Sequence, residues 1–178
     1  MEELCTRGAW STSDAGPSTR ALACVHSALL EIRNFRLAGP TTATSGQPQE
    51  RHFRLMAEEG YKAVINLALH NDPRYSFPDE AASVAAAGLE YVHIPVQFGC
   101  PRAQDFAAFA AAMDRLQGSK VWVHCAANMR VTAFLGIYRV THQQWSREAA
   151  FELMRSVWEP DAVWSEFISA LVERPHAG

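Results

Sequence analysis

The chain has 178 residues, of which 48% are hydrophobic, and it carries a formal net charge of −3. This size and composition suit one compact domain with a full core. The slightly negative net charge does not indicate binding to nucleic acid or to an anionic membrane. Its four cysteines, Cys5, Cys24, Cys100 and Cys125, show no close pairing and no Cys-x-x-Cys motif, so neither a disulfide framework nor a zinc site is indicated.

No targeting or membrane-spanning segment is indicated by the sequence. The apolar run at residues 21–30 is interrupted by His26, and it is preceded by the acidic residues Glu2, Glu3 and Asp14 instead of basic ones. No apolar stretch approaches the ~20 residues that span a bilayer. We therefore expect a soluble cytoplasmic protein, because unpaired cysteines fit that reducing compartment.

Residues 1–20 are rich in Ser, Thr and Gly and show no apolar period, which predicts a disordered tail. Residues 21–178 show no internal repeat and no sign of a second domain, so we expect a single domain there. Within it, near-continuous apolar runs alternate with segments of helical apolar spacing. The predicted strands are residues 34–37, 61–69, 89–96 and 120–124. The predicted helices lie within residues 22–32, 49–59, 81–87, 101–116, 134–138, 146–157 and 160–173, and residues 39–48 are predicted to form a polar loop.

This alternation predicts an α/β fold. Strands that are apolar on both faces and joined by helices form a mostly parallel central sheet, flanked by helices on both faces. Open sheets of this kind bind their ligands at the carboxyl ends of the strands. The functional site is therefore expected where the strand at residues 120–124 ends.

Residues 121–132 read Val-Trp-Val-His-Cys-Ala-Ala-Asn-Met-Arg-Val-Thr, which predicts a buried strand, a tight polar loop and an amphipathic helix. A loop that opens a helix presents free backbone N–H groups and the positive end of the helix dipole to an oxyanion. Cys125 in such a loop should be available as a thiolate nucleophile near neutral pH. Arg130 adds a planar fork of donors that matches two phosphate oxygens. The segment thus predicts a nucleophile and an anion cradle in one place.

This pattern of strand, His-Cys, loop, Arg and helix resembles the cysteine-dependent protein tyrosine and dual-specificity phosphatases, whose motif is His-Cys-x5-Arg-Ser/Thr. The wider pattern is similar to a bacterial tyrosine-phosphatase-like subfamily over residues 27–173, with Ser45-Gly-Gln-Pro48, Val64-Ile-Asn-Leu67 and Tyr91-Val-His-Ile-Pro-Val96. The resemblance implies a dual-specificity-phosphatase-like fold. It also implies hydrolysis of phosphate monoesters through a cysteinyl-phosphate intermediate, with no metal or cofactor.

The chain departs from the family motif because only four residues separate Cys125 from Arg130. In an alignment without a gap, Asn128 takes the position where the family usually has Gly, and Thr132 takes the position of its Ser/Thr. Val131 then takes the position of the family's phosphate-binding Arg. Asn is enriched in the left-handed backbone region that Gly adopts, so that exchange is physically mild. Alternatively the loop is one residue shorter and Arg130 still turns inward.

The resemblance carries roles onto individual residues. Cys125 and Arg130 are the candidate catalytic residues. The candidate substrate-binding residues are His124, Ala126, Ala127, Asn128, Met129, Thr132 and Gln47. In the family, the histidine before the cysteine orients and acidifies it. A structural reading, in which the histidine packs under the loop and bonds to backbone, is compatible with that role. Gln47 lies in a segment near the site's rim in the subfamily, although tight-turn geometry explains the neighbouring Gly and Pro equally well.

The general acid is less clearly marked. The resembled phosphatases protonate the leaving oxygen with an Asp on the loop after the second strand, but residues 97–101 here read Gln-Phe-Gly-Cys-Pro. Asp105 follows in the first turn of a helix, where compensation of the helix dipole explains it. Asp72, in an Asn-Asp-Pro sequence that is also ordinary turn chemistry, is the candidate general acid. Loss of a general acid costs on the order of 10²–10⁴ in rate.

Two functional hypotheses follow, with a redox-sensing or sulfur-carrying thiol as a third. The first is a phosphatase with weakened catalysis, and the second is an inactive phosphate-binding module, a pseudophosphatase. An inward Arg130 would favour chemistry, whereas Val131 lining the cradle would favour binding at most. The expected partner is a phosphorylated substrate or another oxyanion, with no metal, no nucleic acid and no membrane, and the oligomeric state is left open.

Overall fold

The computed structural model describes residues 25–70, 76 and 78–173; the predicted tail at residues 1–20 and Asp72 lie outside them. Within this part of the chain, the strands are β1 (Arg36–Leu37), β2 (Thr42–Ser45), β3 (Ala63–Asn66), β4 (Glu90–His93) and β5 (Val121–His124). The helices are α1 (Ser27–Leu30), α2 (Glu50–Glu58), α3 (Glu80–Ala86), α4 (Ala103–Arg115), α5 (Met129–Thr141), α6 (Arg147–Ala150), α7 (Glu152–Arg155) and α8 (Ala162–Val172). None of these described helices is long and apolar enough to cross a membrane.

The five strands form one sheet in the order β1-β2-β5-β3-β4, in which β1 is antiparallel and all other neighbours are parallel. The register places Ser45 opposite His124, His124 opposite Asn66, and Asn66 opposite His93. These four residues end their strands, so a row of polar side chains crosses the carboxyl edge of the sheet. The predicted α/β fold, with a mostly parallel sheet between helices, is confirmed.

The two faces of the sheet bury separate hydrophobic clusters. One cluster packs α1, α2 and α3 against Trp122, and the other packs α4 to α8 against Val123 and its neighbours. Successive strand residues point to opposite faces. His124 therefore faces the first helix layer with Trp122, while Cys125 joins the core of the second layer with Val123. The predicted site lies where these two layers meet the end of β5.

The prediction of a polar loop at residues 39–48 is wrong, because β2 runs through this segment between β1 and β5. Its sequence, Thr-Ala-Thr-Ser, lacks the apolar pattern of a core strand. Its buried hydroxyls nevertheless have partners: Ser45 Oγ accepts from Trp122 Nε1 at 2.9 Å, and Thr44 Oγ1 accepts from Asn128 Nδ2 at 2.9 Å. Burying a hydroxyl costs little when it is hydrogen-bonded, so a polar strand can occupy the interior of the sheet.

The predicted single helix at residues 146–157 is also wrong. The chain forms α6 and α7 instead, which meet at Phe151, where φ is −97° and ψ is 5°. The ring of Phe151 packs against Gly136 of α5 so closely that a Cβ at Gly136 would overlap it. The break in the helix thus brings an aromatic ring onto the backbone of α5, and glycine permits that approach.

We expect Gly136→Ala to lower the free energy of unfolding by about 1–3 kcal/mol, because the added methyl group overlaps Phe151 in a close-packed core. Urea unfolding of the native and variant proteins measures the change. Gly99→Ala is the matched control, since a Cβ there meets no atom of the described residues within 4 Å. The control should leave stability unchanged or raise it by up to about 1 kcal/mol. Equal stability of the two variants would contradict this packing.

Candidate active site

The loop between β5 and α5 takes its shape from Asn128. This residue has left-handed backbone angles, φ 65° and ψ 2°, which Asn tolerates better than most residues. Its Nδ2 donates to Asn34 O at 2.7 Å and to Thr44 Oγ1 at 2.9 Å. In return, Asn34 Nδ2 donates to Ala127 O at 3.0 Å. Asn128 is thus tied to the segment before β1 and to β2 itself, and these bonds hold the turn.

The segment after β2 closes the loop from the other side. Gly46 forms an antiparallel bridge with Ala127, and Gln47 N donates to Ala126 O at 3.4 Å. A Cβ at Gly46 would lie 3.0 Å from Ala126 O and 3.1 Å from Arg33 O, so the approach depends on glycine. The partly exposed residues of the loop are Ala126, Ala127 and Met129.

Cys125 lies at the start of this loop and is 1% exposed. Its backbone N–H donates to Ser45 O at 3.3 Å. Helix α5 begins at Met129. Because the first N–H groups of a helix have no intrahelical acceptor, those of Met129, Arg130 and Val131 remain for an anion at the positive end of the helix dipole.

Arg130 turns into the protein and is 9% exposed. Its Nη1 donates to Leu67 O at 2.9 Å and to Val96 O at 3.0 Å, which are carbonyls beyond the carboxyl ends of β3 and β4. Its Nε is buried without a hydrogen-bond partner in the described part of the chain. No carboxylate among the described residues lies within ion-pair distance of it. A buried guanidinium in this condition is stabilised by an anion.

The next two residues face away from the loop. Val131 is fully buried in the core, so it does not line the loop, and the geometry favours the shorter alignment with Arg130 as the loop's cation. Thr132 is also fully buried; its Oγ1 donates to Asn128 O at 2.9 Å and accepts from Trp158 Nε1 at 3.3 Å. The Thr132 hydroxyl therefore stabilises the start of α5.

On the opposite face of the sheet, His124 and Glu80 form a hydrogen bond between two side chains that are both 0% exposed, with 2.8 Å between Nε2 and Oε1. Glu80 opens α3, and Gln47 Nε2 donates to its Oε2 at 2.8 Å. Burial by itself would raise the pKa of Glu80. The charge of His124 and the hydrogen bonds from His124 and Gln47 outweigh burial and hold that pKa below its ordinary value. Glu80 is consequently ionised at neutral pH.

Further polar groups extend this pair along the edge of the sheet. Asn66 Nδ2 lies 3.1 Å from Glu80 Oε1, 3.1 Å from Tyr91 Oη and 3.0 Å from His70 Nε2. The rings of His70 and His93 stack with their centroids 4.2 Å apart. Burial lowers the pKa of His70, and the neighbouring charge of His93 lowers it further, while Glu80 opposes them. Positive charge is thus disfavoured at His70.

The family described as "DSP-PTPase phosphatase fused to NAD+ Kinase" matches residues 41–165, which include β2, β5 and the whole loop. The chain belongs to this family. Its fold is accordingly that of the cysteine-dependent tyrosine and dual-specificity phosphatases, as the resemblance in the sequence implied.

Individual relatives agree with this assignment. A DUF442 protein from Shewanella putrefaciens CN-32, named as a candidate phosphatase, is 32% identical; the match covers 83% of this chain and 96% of that one, with a TM-score of 0.74. Tk-PTP in its active form shares the fold at 19% identity, with coverage of 80% and 98% and a TM-score of 0.67. Beta-lactamase hydrolase-like proteins of two Xylella fastidiosa strains are 32% identical over 60% of this chain. The match spans a quarter of the length of those proteins.

The loop that carries the general acid in the resembled phosphatases has no carboxylate here, at residues 97–101. Asp105 Oδ2 accepts from Arg102 N at 3.1 Å, so this carboxylate caps α4. Asp72 lies outside the described residues and stays a prediction.

The sequence did not indicate Glu80 as a site residue, and it indicated Gln47 as a candidate substrate-binding residue. An acidic residue in the first turn of a helix is explained by the dipole, and Glu80 lies 44 residues from His124 in the chain. One signal was available: Glu80 shares a helix face with the fully buried Val84, four residues on. The structure places the Gln47 amide on Glu80, where it holds the carboxylate beneath the loop.

The lowered pKa of Glu80 predicts a pH dependence of stability. Because its folded pKa lies below its unfolded one, its contribution is fully present above about pH 4.3 and is lost as the pH falls through the folded pKa. Glu80→Gln should cost about 1–3 kcal/mol at pH 7, and this cost should shrink as the pH falls below about 4. Urea unfolding between pH 3 and pH 7 measures both effects.

The matched control is Glu50→Gln, which alters an exposed first-turn glutamate of α2. It should change stability by no more than about 0.5 kcal/mol. A Glu80→Gln cost that does not change between pH 3 and pH 7 would show that the ionised carboxylate is not what stabilises the fold.

Proposed function

We propose that this protein is a cysteine-dependent phosphatase that hydrolyses phosphate monoesters. The Cys125 thiolate attacks phosphorus, the bond from phosphorus to the ester oxygen breaks, and the alcohol leaves after taking up a proton. Water then attacks the phosphocysteine, and the sulfur–phosphorus bond breaks. Inorganic phosphate and the thiolate are released, so the cycle balances without a redox partner.

The state of Arg130 carries this proposal. Its Nη1 is bound to two strand-end carbonyls, which fixes the guanidinium plane, while its Nε is buried without an acceptor. The two parallel donors of a guanidinium edge match two oxygens of a phosphoryl group. A fixed cation at the strand ends, in the same short loop as Cys125, supports binding of a phosphoryl group at the cysteine.

The start of α5 supplies the remaining donors. Phosphoryl transfer is catalysed mainly by positioning and by stabilising charge on the equatorial oxygens. Backbone N–H groups at a helix start are suited to this because they cost no reorganisation during the reaction. Asn128 and Gly46 hold the loop that aims these groups, so its shape does not depend on the substrate.

A second function, phosphate binding without turnover, is favoured by one observation. The first carboxylate after the expected acid loop in the sequence, that of Asp105, is bound to the backbone as a helix cap. A site without a general acid still binds phosphate and still reacts with esters of acidic alcohols, but it turns over poor leaving groups slowly. Leaving-group dependence therefore separates the two functions.

We expect the protein to hydrolyse p-nitrophenyl phosphate near pH 6, because this leaving group needs no general acid. Cys125→Ser should abolish turnover, and Arg130→Ala should lower kcat by about 10²–10³. Cys100→Ser, which alters an exposed cysteine, is the matched control and should keep the native rate. The released p-nitrophenolate is followed by absorbance.

The same variants distinguish a binding module. If turnover is absent but tungstate raises the melting temperature of the native protein and not of Arg130→Ala, the protein binds phosphate without catalysis. If neither turnover nor anion stabilisation occurs, both functions are excluded.

Asp72 is tested by varying the leaving group. If Asp72 is the general acid, Asp72→Asn should slow phenyl phosphate hydrolysis by about 10²–10⁴ and leave p-nitrophenyl phosphate nearly unaffected. Equal rates of Asp72→Asn and native protein on phenyl phosphate would exclude this role. In that case native turnover itself should fall steeply as the pKa of the leaving alcohol rises.

A further inference from the structure

The turn that precedes β1 is joined to the loop between β5 and α5. Gly46 N donates to Arg33 O at 2.7 Å. Asn34 Nδ2 donates to Ala127 O at 3.0 Å, and Asn128 Nδ2 donates in the other direction, to the carbonyl of the same asparagine, at 2.7 Å. Because β1 is antiparallel to β2, the residues that lead into β1 lie beyond the carboxyl edge of the parallel strands. The turn therefore forms part of the rim of the candidate active site.

Buried neighbours fix the backbone of this turn. Ile32 and Phe35 belong to the core beneath the first helix layer, and Phe35 N donates to Ile32 O at 3.0 Å. Between them, Asn34 has a left-handed backbone with φ 53°. Such a conformation is unfavourable for a residue other than Gly, and it persists where the surroundings require it. Arg33 is exposed on this fixed backbone, so its side chain leaves the protein from a defined point.

The side chain of Arg33 begins directly beside the loop. Arg33 Cβ and Ala126 O both lie within 3.2 Å of the position that a Cβ at Gly46 would take. Ala126 follows Cys125 in the chain and is partly exposed. The methylene stem of an arginine carries its charged group well beyond the Cβ atom. The guanidinium of Arg33 is therefore within reach of a ligand that extends outward from the loop.

This guanidinium has no protein partner in the part of the chain that the structure describes. Arginines elsewhere in that part donate from their side chains to protein groups, as Arg36 and Arg115 do. No described carboxylate lies within ion-pair distance of Arg33. At the same edge of the sheet, the carboxylates of Asp79 and Asp105 are bound to backbone N–H groups as caps of α3 and α4. Arg33 is consequently a cation left for a ligand at this rim.

We propose that Arg33 is a specificity-determining residue, which binds a second anionic group of the substrate while Arg130 and the start of α5 hold the scissile phosphate. The substrate class is then a phosphate monoester that carries another phosphate or a carboxylate close to the first. This inference deepens the proposed phosphatase function and rests on it.

The different depths of the two arginines indicate two separate anionic groups. Arg130 is 9% exposed and Cys125 is 1% exposed, whereas Arg33 is exposed at the rim. A phosphoryl group at the cysteine meets the buried guanidinium, and a group farther along the ligand meets the exposed one. A guanidinium fork matches two oxygens of either a phosphate or a carboxylate. The shared chemistry of the second group is therefore its negative charge and its paired oxygens.

The test compares two ligands in the full-length Cys125→Ser variant, which lacks the proposed nucleophile. Propyl phosphate carries one phosphate, and propane-1,3-diyl bisphosphate carries a second on the same stem. Titration calorimetry at pH 7 and about 50 mM salt measures both dissociation constants, since low salt preserves interactions of exposed charges. The bisphosphate should bind about tenfold more tightly. About twofold of this is statistical, because either phosphate can occupy the cradle, and the remaining factor of about five is the contribution of Arg33.

Further substitutions in the same background assign the preference. Arg33→Ala should fold, because the bond of this residue to Gly46 comes from its backbone carbonyl. It should reduce the preference for the bisphosphate to about twofold and leave the dissociation constant of propyl phosphate unchanged. Arg33→Lys retains the charge and should keep at least about half of the preference. Arg102→Ala is the matched control, since it removes another exposed arginine at this edge of the sheet, and it should keep the full preference.

A second ligand pair distinguishes the source of the second anion. Phosphotyrosine peptides with Glu or Gln beside the phosphotyrosine are titrated in the same way. An Arg33-dependent preference for the Glu peptide would support an acidic phosphopeptide as the substrate. A preference confined to the bisphosphate would support a small molecule with two phosphates.

Two results would overturn the inference: no Arg33-dependent preference in either ligand pair, or an equal loss of preference in Arg33→Ala and Arg102→Ala. Failure of the proposed function gives a different result. Propyl phosphate would then bind no better to the parent variant than to the same protein with Arg130→Ala.

Discussion

The hydrogen bond between the buried side chains of His124 and Glu80 connects several strands and a helix around the site. It joins the end of β5 to the start of α3, and the carboxylate also binds Gln47 beyond β2 and Asn66 at the end of β3. Three strand ends and one helix therefore meet on one ionised group. The Glu80 carboxylate is out of contact with water. Loss of any one of its hydrogen-bond partners would therefore leave a buried charge incompletely paired, which lowers the free energy of unfolding.

The alternation of side chains along β5 gives the loop two independent supports. His124 faces the layer of α3, whereas Cys125 faces the layer that contains α5 and Arg130. The polar pair holds the loop from one face, and the bonds of Arg130 to Leu67 O and Val96 O hold it from the other. The loop that carries Cys125 is therefore held from both faces of the sheet by buried side chains, and its shape does not depend on mobile surface groups.

Much of this arrangement could be predicted from the sequence, because the strand, the loop and the helix around Cys125 are contiguous and their chemistry is local. The parallel sheet followed in the same way from apolar runs alternating with helices. β2 could not be predicted, since Thr44 and Ser45 are buried only by virtue of partners brought from β5 and its loop. Glu80 was missed for a related reason: its environment is created by long-range contacts. The choice between Arg130 and Val131 likewise required knowing which side chain reaches the strand ends.

The loop at residues 97–101 shows how the second helix layer contributes to the site. Trp164 Nε1 donates to Phe98 O at 2.9 Å, and the Phe98 ring lies 5.9 Å from the Arg130 guanidinium. The C-terminal helix thus fixes the wall beside the arginine. This loop is anchored by α8 and lies beside Arg130, but it carries no carboxylate. In the proposed phosphatase reaction, anion binding and proton delivery are therefore separate: buried contacts hold the arginine that would bind the anion, and the proton would have to come from another loop, from solvent or be made unnecessary by an acidic leaving group.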